Sequence, residues 1–440
     1  MFTKDELIEI TGAEVLQDSS AEGVCFSIST DTRTISGNDI YLPLSGVSFD
    51  GENFIDKIFE KGAKAYFTSN GKIYADADLV LKVNDTLDAY LKIAQYYRKK
   101  VNPVVIGVTG SSGKTTTKEI IYSVLSQKFK THKTLSNHNN EIGFCQTVLS
   151  MSEDTQALIV EMGMRGFGEI ELISSHLHPD YAIITNCGSA HIGRLGSLDN
   201  IAIAKCEIVK GLCEHGAVIA LNQDIIKKHL NFNGEKLFYS LNDTKIIEQG
   251  KSYSKFEYKG KVYELSVEGN YNIENSLAAI ELGYKLGMDC QSIVDGLKMY
   301  HPIEKRWEVT SVKGLNFIND SYNANPESVK ASVKTFVDFY SNPVVVLGDM
   351  GELGDNSIDY HRQVGEYLSN CNHNVKYLTV GPYAAEIAKI LNNKGFDTKS
   401  FINNKDVSCY ILENLNNSNT IFLKASRSMK LEEIIENIKK

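Results

Sequence analysis

The sequence predicts an α/β protein built on parallel sheets. Two observations carry this. Short apolar, β-branched runs alternate with helical stretches over most of the 440 residues. One such run, "NPVVIGV" (102–108), passes through the glycine-rich turn "TGSSGKTTT" directly into "KTTTKEIIYSVLSQ" (114–127), whose apolar residues at 120, 121, 124 and 125 form one helical face. A glycine turn between a strand end and a helix start offers free backbone N–H groups and a helix dipole to an anion.

The first hundred residues mix the strands "VCFSIST", "DIYLPL" and "KAYFTS" with the helices "ENFIDKIFEKGA" and "TLDAYLKIAQYYRKK". A break at "VNP" (101–103) sets a first domain at 1–101. The next segment repeats strand and helix through "ALIVEMG", "DYAIITNCG" and "GAVIALN". Residues 236–267 are richer in strand signals, with "YKGK" as a turn, and "NIENSLAAIELGYKLG" (272–287) reads as a helix. A second boundary near "HPIEKRW" (301–307) gives a central domain at 102–302 and a last one at 303–440. The last part alternates again through "LNFINDSY", "NPVVVLGDMGELG", "VKYLTVG" and "NTIFLKASR", predicting another αβα unit.

Composition narrows the classes. The hydrophobic content of 42% is that of a globular protein, and no apolar run reaches the roughly 18 residues of a membrane helix. The start, "MFTKDELIEITGAEV", carries acids and no signal-peptide core, and the eight cysteines form no C-x-x-C pair. A reduced, cytoplasmic enzyme without membrane insertion is expected. A net charge of −9 argues against broad nucleic-acid binding. A phosphate-bearing ligand must then be met by local amides and basic groups.

The turn departs from the common phosphate-loop spacing: five residues before Gly113 stands Val108, not glycine. Even so, Lys114 can reach outer phosphates and the Thr115 hydroxyl can ligate magnesium. Glu161 ends the strand "ALIVE", where a carboxylate can hold magnesium or sit as a surface acid. His191, in "TNCGSAHIGRLGS", is a metal ligand or a plain loop histidine. Read alone, Lys205 in "NIAIAKCEIVKGL" is a solvated helix lysine, and Arg306 in "EKRWEV" a surface charge. Asp320, in "INDSYNANP", contacts ribose or makes an Asx turn. "LGDMGELG" (347–354) presents Asp349 and Glu352 past a strand end, to receive an ammonium or metal or simply as an acidic turn. "SISTDTR" (27–33) and "LSGVSFDGENF" (44–54) together can cradle a phosphorylated ligand.

These stretches, in this order, resemble the Mur ligases of peptidoglycan synthesis, whose nucleotide loop is of the "TGSSGKT" kind. "NHNNEIG" (137–143), "EMGMRGFGEI", "AHIGRLGS", "DSYNANPES" (320–328) and "LGDMGELG" extend the likeness over essentially the whole chain. The resemblance implies three domains: an N-terminal UDP-sugar-binding domain, a central P-loop ATPase-like domain and a C-terminal Rossmann-like domain. It further implies the branch that joins D-alanyl-D-alanine to UDP-N-acetylmuramoyl-tripeptide through an acyl phosphate, with ATP and Mg2+, as a monomer.

By the same resemblance, Gly110, Ser111, Ser112, Gly113, Lys114, Thr115 and Thr116 hold the phosphates. Thr115, Glu161, His191 and Lys205 serve the magnesium ions, Lys205 matching a family lysine that can be carbamylated. Asn275, Arg306 and Asp320 meet the nucleotide, Asn139 and Asn140 the muramoyl substrate, and Ser29, Thr30, Asp31 and Arg33 the uridine diphosphate. Lys424, Ser426 and Arg427 line the acceptor site, and Asp349 joins the catalytic set with Lys114, Glu161, His191 and Lys205.

The sequence also departs from the family. Cys187 stands for valine, Cys206 for glycine beside Lys205, "EIGFCQ" lacks the usual proline, and Ala425 stands for glycine in the acceptor loop. Rival readings are another amide ligase of this build, folylpolyglutamate synthetase among them, and a non-catalytic nucleotide-binding module.

Overall fold

Val104–Thr109 runs down the middle of a six-stranded sheet, paired on one side with Ala157–Glu161 and on the other with Tyr181–Ile184. The computed structural model describes residues 1–46, 48–135, 138–303, 305–371 and 374–440. Asn137, which opens one motif, and Glu304, in the second boundary, lie outside the described residues. The sheet runs Thr131–Lys133, Ala157–Glu161, Val104–Thr109, Tyr181–Ile184, Ala217–Leu221, Glu235–Tyr239, with every pair parallel. Helices cover both faces, which is why these strands read as unbroken apolar runs. Val105, Ile106, Val108, Leu158, Ile159, Ile183 and Ile184 have no exposed surface.

The chain leaves Val104–Thr109 to build one half of this sheet and then returns to build the other half. Ligands of such sheets bind at the carboxyl ends of the strands at that reversal. Register sets Glu161 beside Val108 and Ile184 beside Thr109. The phosphate loop, the end of "ALIVE" and the "TNCG" loop therefore emerge side by side.

The N-terminal sheet has four inner parallel strands, Cys25–Ser29, Asp39–Tyr41, Ala65–Thr68 and Leu79–Lys82. Its edges, Phe2–Thr3 and Glu14–Asp18, are antiparallel. The stretch expected as one helix, 52–63, is a 3-10 turn at Gly51–Phe54 and a four-residue helix at Asp56–Phe59. The reason is Glu52, buried in the first turn. Its carboxylate takes hydrogen bonds from Thr68 Oγ1 (2.9 Å) and Ser69 N (2.5 Å), which ties that turn to a strand end.

The helix Thr86–Val101 is capped by Asp85 and closed by Asn102 in the left-handed region, with Pro103 beyond. It lies on the central unit: Tyr97 donates to Met151 O (3.0 Å) and Arg98 to His178 O (2.9 Å). The first two units consequently share one apolar core, from Phe2 to Tyr300.

The C-terminal sheet runs Glu308–Val312, Leu315–Asn319, Thr420–Lys424, Pro343–Gly348, Lys376–Val380, Asp397–Phe401. Only its first pair is antiparallel. It has separate apolar clusters of its own on its two faces.

A three-stranded antiparallel sheet, Thr244–Gly250, Tyr253–Tyr258 and Lys261–Leu265, leads to the contact between the central and last units. There the buried Glu268 receives Ser252 N (2.9 Å), Trp307 Nε1 (3.1 Å) and Tyr340 OH (2.6 Å). Three donors on one carboxylate offset the cost of burying it.

Candidate active site

Gly113, at φ 77°, begins the helix Lys114–Leu125. A Cβ there would lie 2.5 Å from Asn275 Oδ1, so only glycine lets that asparagine close on the loop. The loop is held from the neighbouring strand end. Ser111 N donates to Asn186 O (3.0 Å), Ser112 N to Asn186 Oδ1 (3.0 Å), and Thr185 Oγ1 to Ser112 O (2.6 Å). Lys114 Nζ folds back onto Gly110 O at 2.7 Å. Burial pulls its ammonium below the ordinary lysine range, against the opposing pull of Glu161. Thr116 faces the Tyr300 hydroxyl.

Glu161 is not a surface acid, at 3% exposure. Its Oε2 accepts from Thr115 Oγ1 (2.9 Å) and its Oε1 from Asn139 Nδ2 (3.1 Å). Burial would raise its pKa, but Lys118, then Lys114 and Arg306, outweigh burial and hold it below the usual carboxylate range. Lys205 is not solvated either, at 1% exposure. The helix around it, Leu198–Cys206, turns this face inward, and burial followed by repulsion from Lys114 pulls its pKa down to about 7. Arg306 stacks 4.0 Å above the Tyr322 ring and acts electrostatically on both Lys114 and Glu161.

The oxygen donors of Thr115 and Glu161 suit a hard cation such as magnesium, which takes one or two carboxylates and completes its shell with phosphate and water. No group of three or more His, Cys, Asp or Glu gathers among the described residues, so phosphate oxygens would have to supply the balance.

His191 adopts φ 66° and places Nδ1 2.5 Å from Glu352 Oε2 of the C-terminal unit. Beside it, Gly193 N donates to Glu352 O (3.0 Å), and Ser189 Oγ to Glu327 Oε2 (2.9 Å). The "AHIGRLGS" and "LGDMGELG" loops are thus docked on each other.

Further into the C-terminal unit, Lys424 Nζ is 2.5 Å from Asp320 Oδ2 and reaches Asn323 O (3.3 Å). Asp349 is engaged by the backbone: its Oδ1 accepts Ala384 N (2.7 Å), bracing the start of the helix Ala384–Asn393. Ser426 bonds Asp349 O through both N (3.0 Å) and Oγ (2.7 Å). The Ala425 methyl fits because its neighbour Gly348 has none; a Cβ there would lie 2.6 Å away. Arg427 pairs with Glu432.

Asn140 spends its side chain capping the helix Glu141–Leu149 through Gly143 N (3.0 Å). In the N-terminal unit Ser29 and Asp31 share a turn, with Ser29 Oγ 3.3 Å from Asp31 O and Thr30 between them. Arg33 is 88% exposed and pairs with Asp31 at 2.7 Å, pushing that carboxyl down to about 2.

Lys118, Asn186 and Glu327 were not singled out from the sequence. Lys118 carried a signal: it lies one helical turn beyond Lys114, on the same face. Asn186 follows a strand directly, and Glu327 lies within "DSYNANPES", but its contact was not legible because its partner is 138 residues away.

Three family models match in order: the Mur ligase family catalytic domain over residues 26–98, the Mur ligase middle domain over 108–283, and the Mur ligase glutamate ligase domain over 305–427. The chain is 34% identical to the UDP-N-acetylmuramoyl-tripeptide--D-alanyl-D-alanine ligase of Bacillus subtilis, over 99% of this chain and 98% of that one. Its fold matches a crystal structure of MurF from Acinetobacter baumannii with a TM-score of 0.90 at 27% identity, covering 100% and 99%. It also matches the fold of the Thermotoga maritima MurF ligase solved in complex with ADP, at TM-score 0.83 and 24% identity, covering 96% and 98%. With its phosphate loop, buried lysine and docked loops set on this three-unit frame, the chain belongs to the Mur ligase family.

Proposed function

We propose that this chain joins D-alanyl-D-alanine to UDP-N-acetylmuramoyl-tripeptide at the expense of ATP, giving the pentapeptide, ADP and phosphate. The observation that carries it is the convergence of Lys114, Thr115 and Glu161 at the carboxyl ends of adjacent strands, with Lys205 close enough on the helix Leu198–Cys206 to be repelled by Lys114 and Arg306 brought in from the C-terminal unit. Full-length similarity to ligases named for this reaction supports the choice of substrates.

The chemistry asks two anions to meet. The tripeptide carboxylate attacks the γ-phosphorus, ADP leaves, and an acyl phosphate forms. The dipeptide amine then attacks the acyl carbon and phosphate departs. Such transfer needs positioning and charge neutralisation above all. Lys114 and the loop amides hold the phosphates. Thr115 and Glu161 would hold magnesium, whose charge offsets that of the reacting oxygens. Lys205, with its depressed pKa, presents a neutral amine that can take up carbon dioxide. The resulting carbamate, formed with release of a proton, would offer a carboxylate-like ligand to a second ion, with His191 as the other candidate ligand. Asn275, Arg306 and Asp320 serve the nucleotide, and Asn139 the muramoyl chain. Asp31 and Arg33, with Ser29 and Thr30, face the uridine diphosphate, and Lys424, Ser426 and Arg427 the acceptor. The docked loops exclude water from the acyl phosphate. The protein acts as a cytoplasmic monomer.

The test is phosphate release by purified protein given ATP and UDP-muramoyl tripeptide, with and without D-alanyl-D-alanine, with the nucleotide product followed by mass. Release that requires both, with a mass gain of one dipeptide, is expected. Release with an amino acid in place of the dipeptide would move the chain to another branch of the family.

A further inference from the structure

A row of alternating charges runs from the edge of the central sheet to Glu161. Lys133 pairs with Glu119, Glu119 with Lys118 (3.2 Å), and Lys118 with Glu161 Oε2 (3.6 Å). Lys118 is the innermost cation of the row, at 1% exposure, and it donates to Thr134 O at 2.8 Å. Thr134 also grips the acid, since its Oγ1 accepts Glu161 N at 3.1 Å. One residue therefore fixes the distance between the lysine and the backbone of the carboxylate. The other anchors of that carboxylate are a hydroxyl and an amide, Thr115 and Asn139, so Lys118 is its one close ammonium contact among the described residues.

We propose that Lys118 is a positioning residue for Glu161, and that its ammonium keeps Glu119 and Glu161 from capturing a divalent cation before nucleotide arrives. The proposal rests on the reading of Glu161 as a magnesium ligand. Two acids and two lysines make the row neutral. A free cation entering beside Glu161 meets a charge that is already compensated, and it is repelled by Lys118 through a medium of low dielectric. The triphosphate brings the missing negative charge, so cation and nucleotide enter together. A purely structural lysine would stabilise the fold without altering this order.

The probe is Mn2+ alone, titrated into the full-length protein and followed by electron paramagnetic resonance, then repeated with ADP. Wild type is expected to bind Mn2+ weakly without nucleotide and at least tenfold more tightly with it. In Lys118→Met, nucleotide-free binding tightens at least tenfold while kcat falls at least tenfold, and Lys118→Arg restores the wild-type pattern. Wild-type Mn2+ affinity in a folded Lys118→Met overturns the proposal. If Lys118→Met does not fold, Glu119→Gln replaces it: Lys118 then acts on Glu161 undivided, and nucleotide-free binding weakens at least threefold, whereas no change overturns the proposal. Glu161→Gln separates the two readings. Unchanged ADP-dependent Mn2+ binding in that variant removes the metal role of Glu161 itself. Loss of binding there, with no effect of Lys118→Met, removes only the role of Lys118.

Discussion

His191 Nδ1 and Glu352 Oε2 lie 2.5 Å apart across the junction of the central and C-terminal units, and both residues hold left-handed backbone, at φ 66° and 62°. Such backbone costs a non-glycine residue about 1 kcal/mol or more, and the contact offsets that cost only while the loops are docked. Glu352→Gln keeps a hydrogen-bonding group and removes the charge. Turnover should fall about tenfold or more, as expected when a charged partner across an interface is neutralised. Steady-state kinetics beside a nucleotide-binding titration checks this: unchanged kcat would show that the pair does not hold the working arrangement.

Gly193 tests the same junction by shape. A Cβ at this position would lie 2.7 Å from Gly354 Cα, with no flexible side chain to give way. Gly193→Ala should therefore separate the loops while leaving the phosphate loop intact. ADP affinity is expected within about threefold of wild type, and ligation reduced at least a hundredfold, the scale that a misplacement of about 1 Å brings. The emission of Trp307, the sole tryptophan, reports the opening, because its Nε1 bonds Glu268 at this same junction. Full ligase activity in the alanine variant would rule out docking as a requirement.

The contrast between these loops and the phosphate loop shows what was legible in the sequence. "VIGVTGSSGKTTT" announces itself because strand, turn and helix are contiguous and their periodicities change within a few residues. Glu161 and Lys205 could be noticed from motif likeness, but their burial could not, because it depends on which face of strand or helix meets the core. Asp349 sits in a recognisable motif, yet its carboxylate braces Ala384, 35 residues on. Lys118 and Glu327 act through partners brought close only by the fold, Thr134 in one case and Ser189 in the other.

Lys205 should be dispensable for folding and indispensable for turnover. It is buried with its pKa pulled down to about 7, and among the described residues its amine has no hydrogen-bond or ion-pair partner. Lys205→Ala is expected to remain folded and to lose at least a hundredfold in ligation. Short carboxylates such as acetate or formate, small enough for the space left behind, should restore part of the rate by standing in for the carbamate. Full activity in Lys205→Ala would exclude the role, and loss without rescue would leave the lysine acting as an amine.

His361 makes the C-terminal unit sensitive to acid. Its side chain is fully buried; Nδ1 lies 2.6 Å from Ser357 O and Nε2 accepts Met350 N at 2.9 Å. An Nε2 that accepts must be unprotonated, so the neutral ring holds Met350, in the loop that carries Glu352. Burial pulls its pKa below the ordinary 6.5, while Ser357 O and Asp349 oppose the shift. Below pH 6.5 the unfolded chain takes up this proton and the folded chain resists it. The stability is therefore complete above pH 6.5 and is lost as pH falls toward and through the folded value. Protonation also strands the Met350 N–H, a loss of about 1–3 kcal/mol. Between pH 7.5 and 5 the melting temperature of wild type should drop more than that of His361→Gln, whose amide oxygen can accept Met350 N at every pH. Parallel curves for the two proteins would show that the acid sensitivity lies elsewhere.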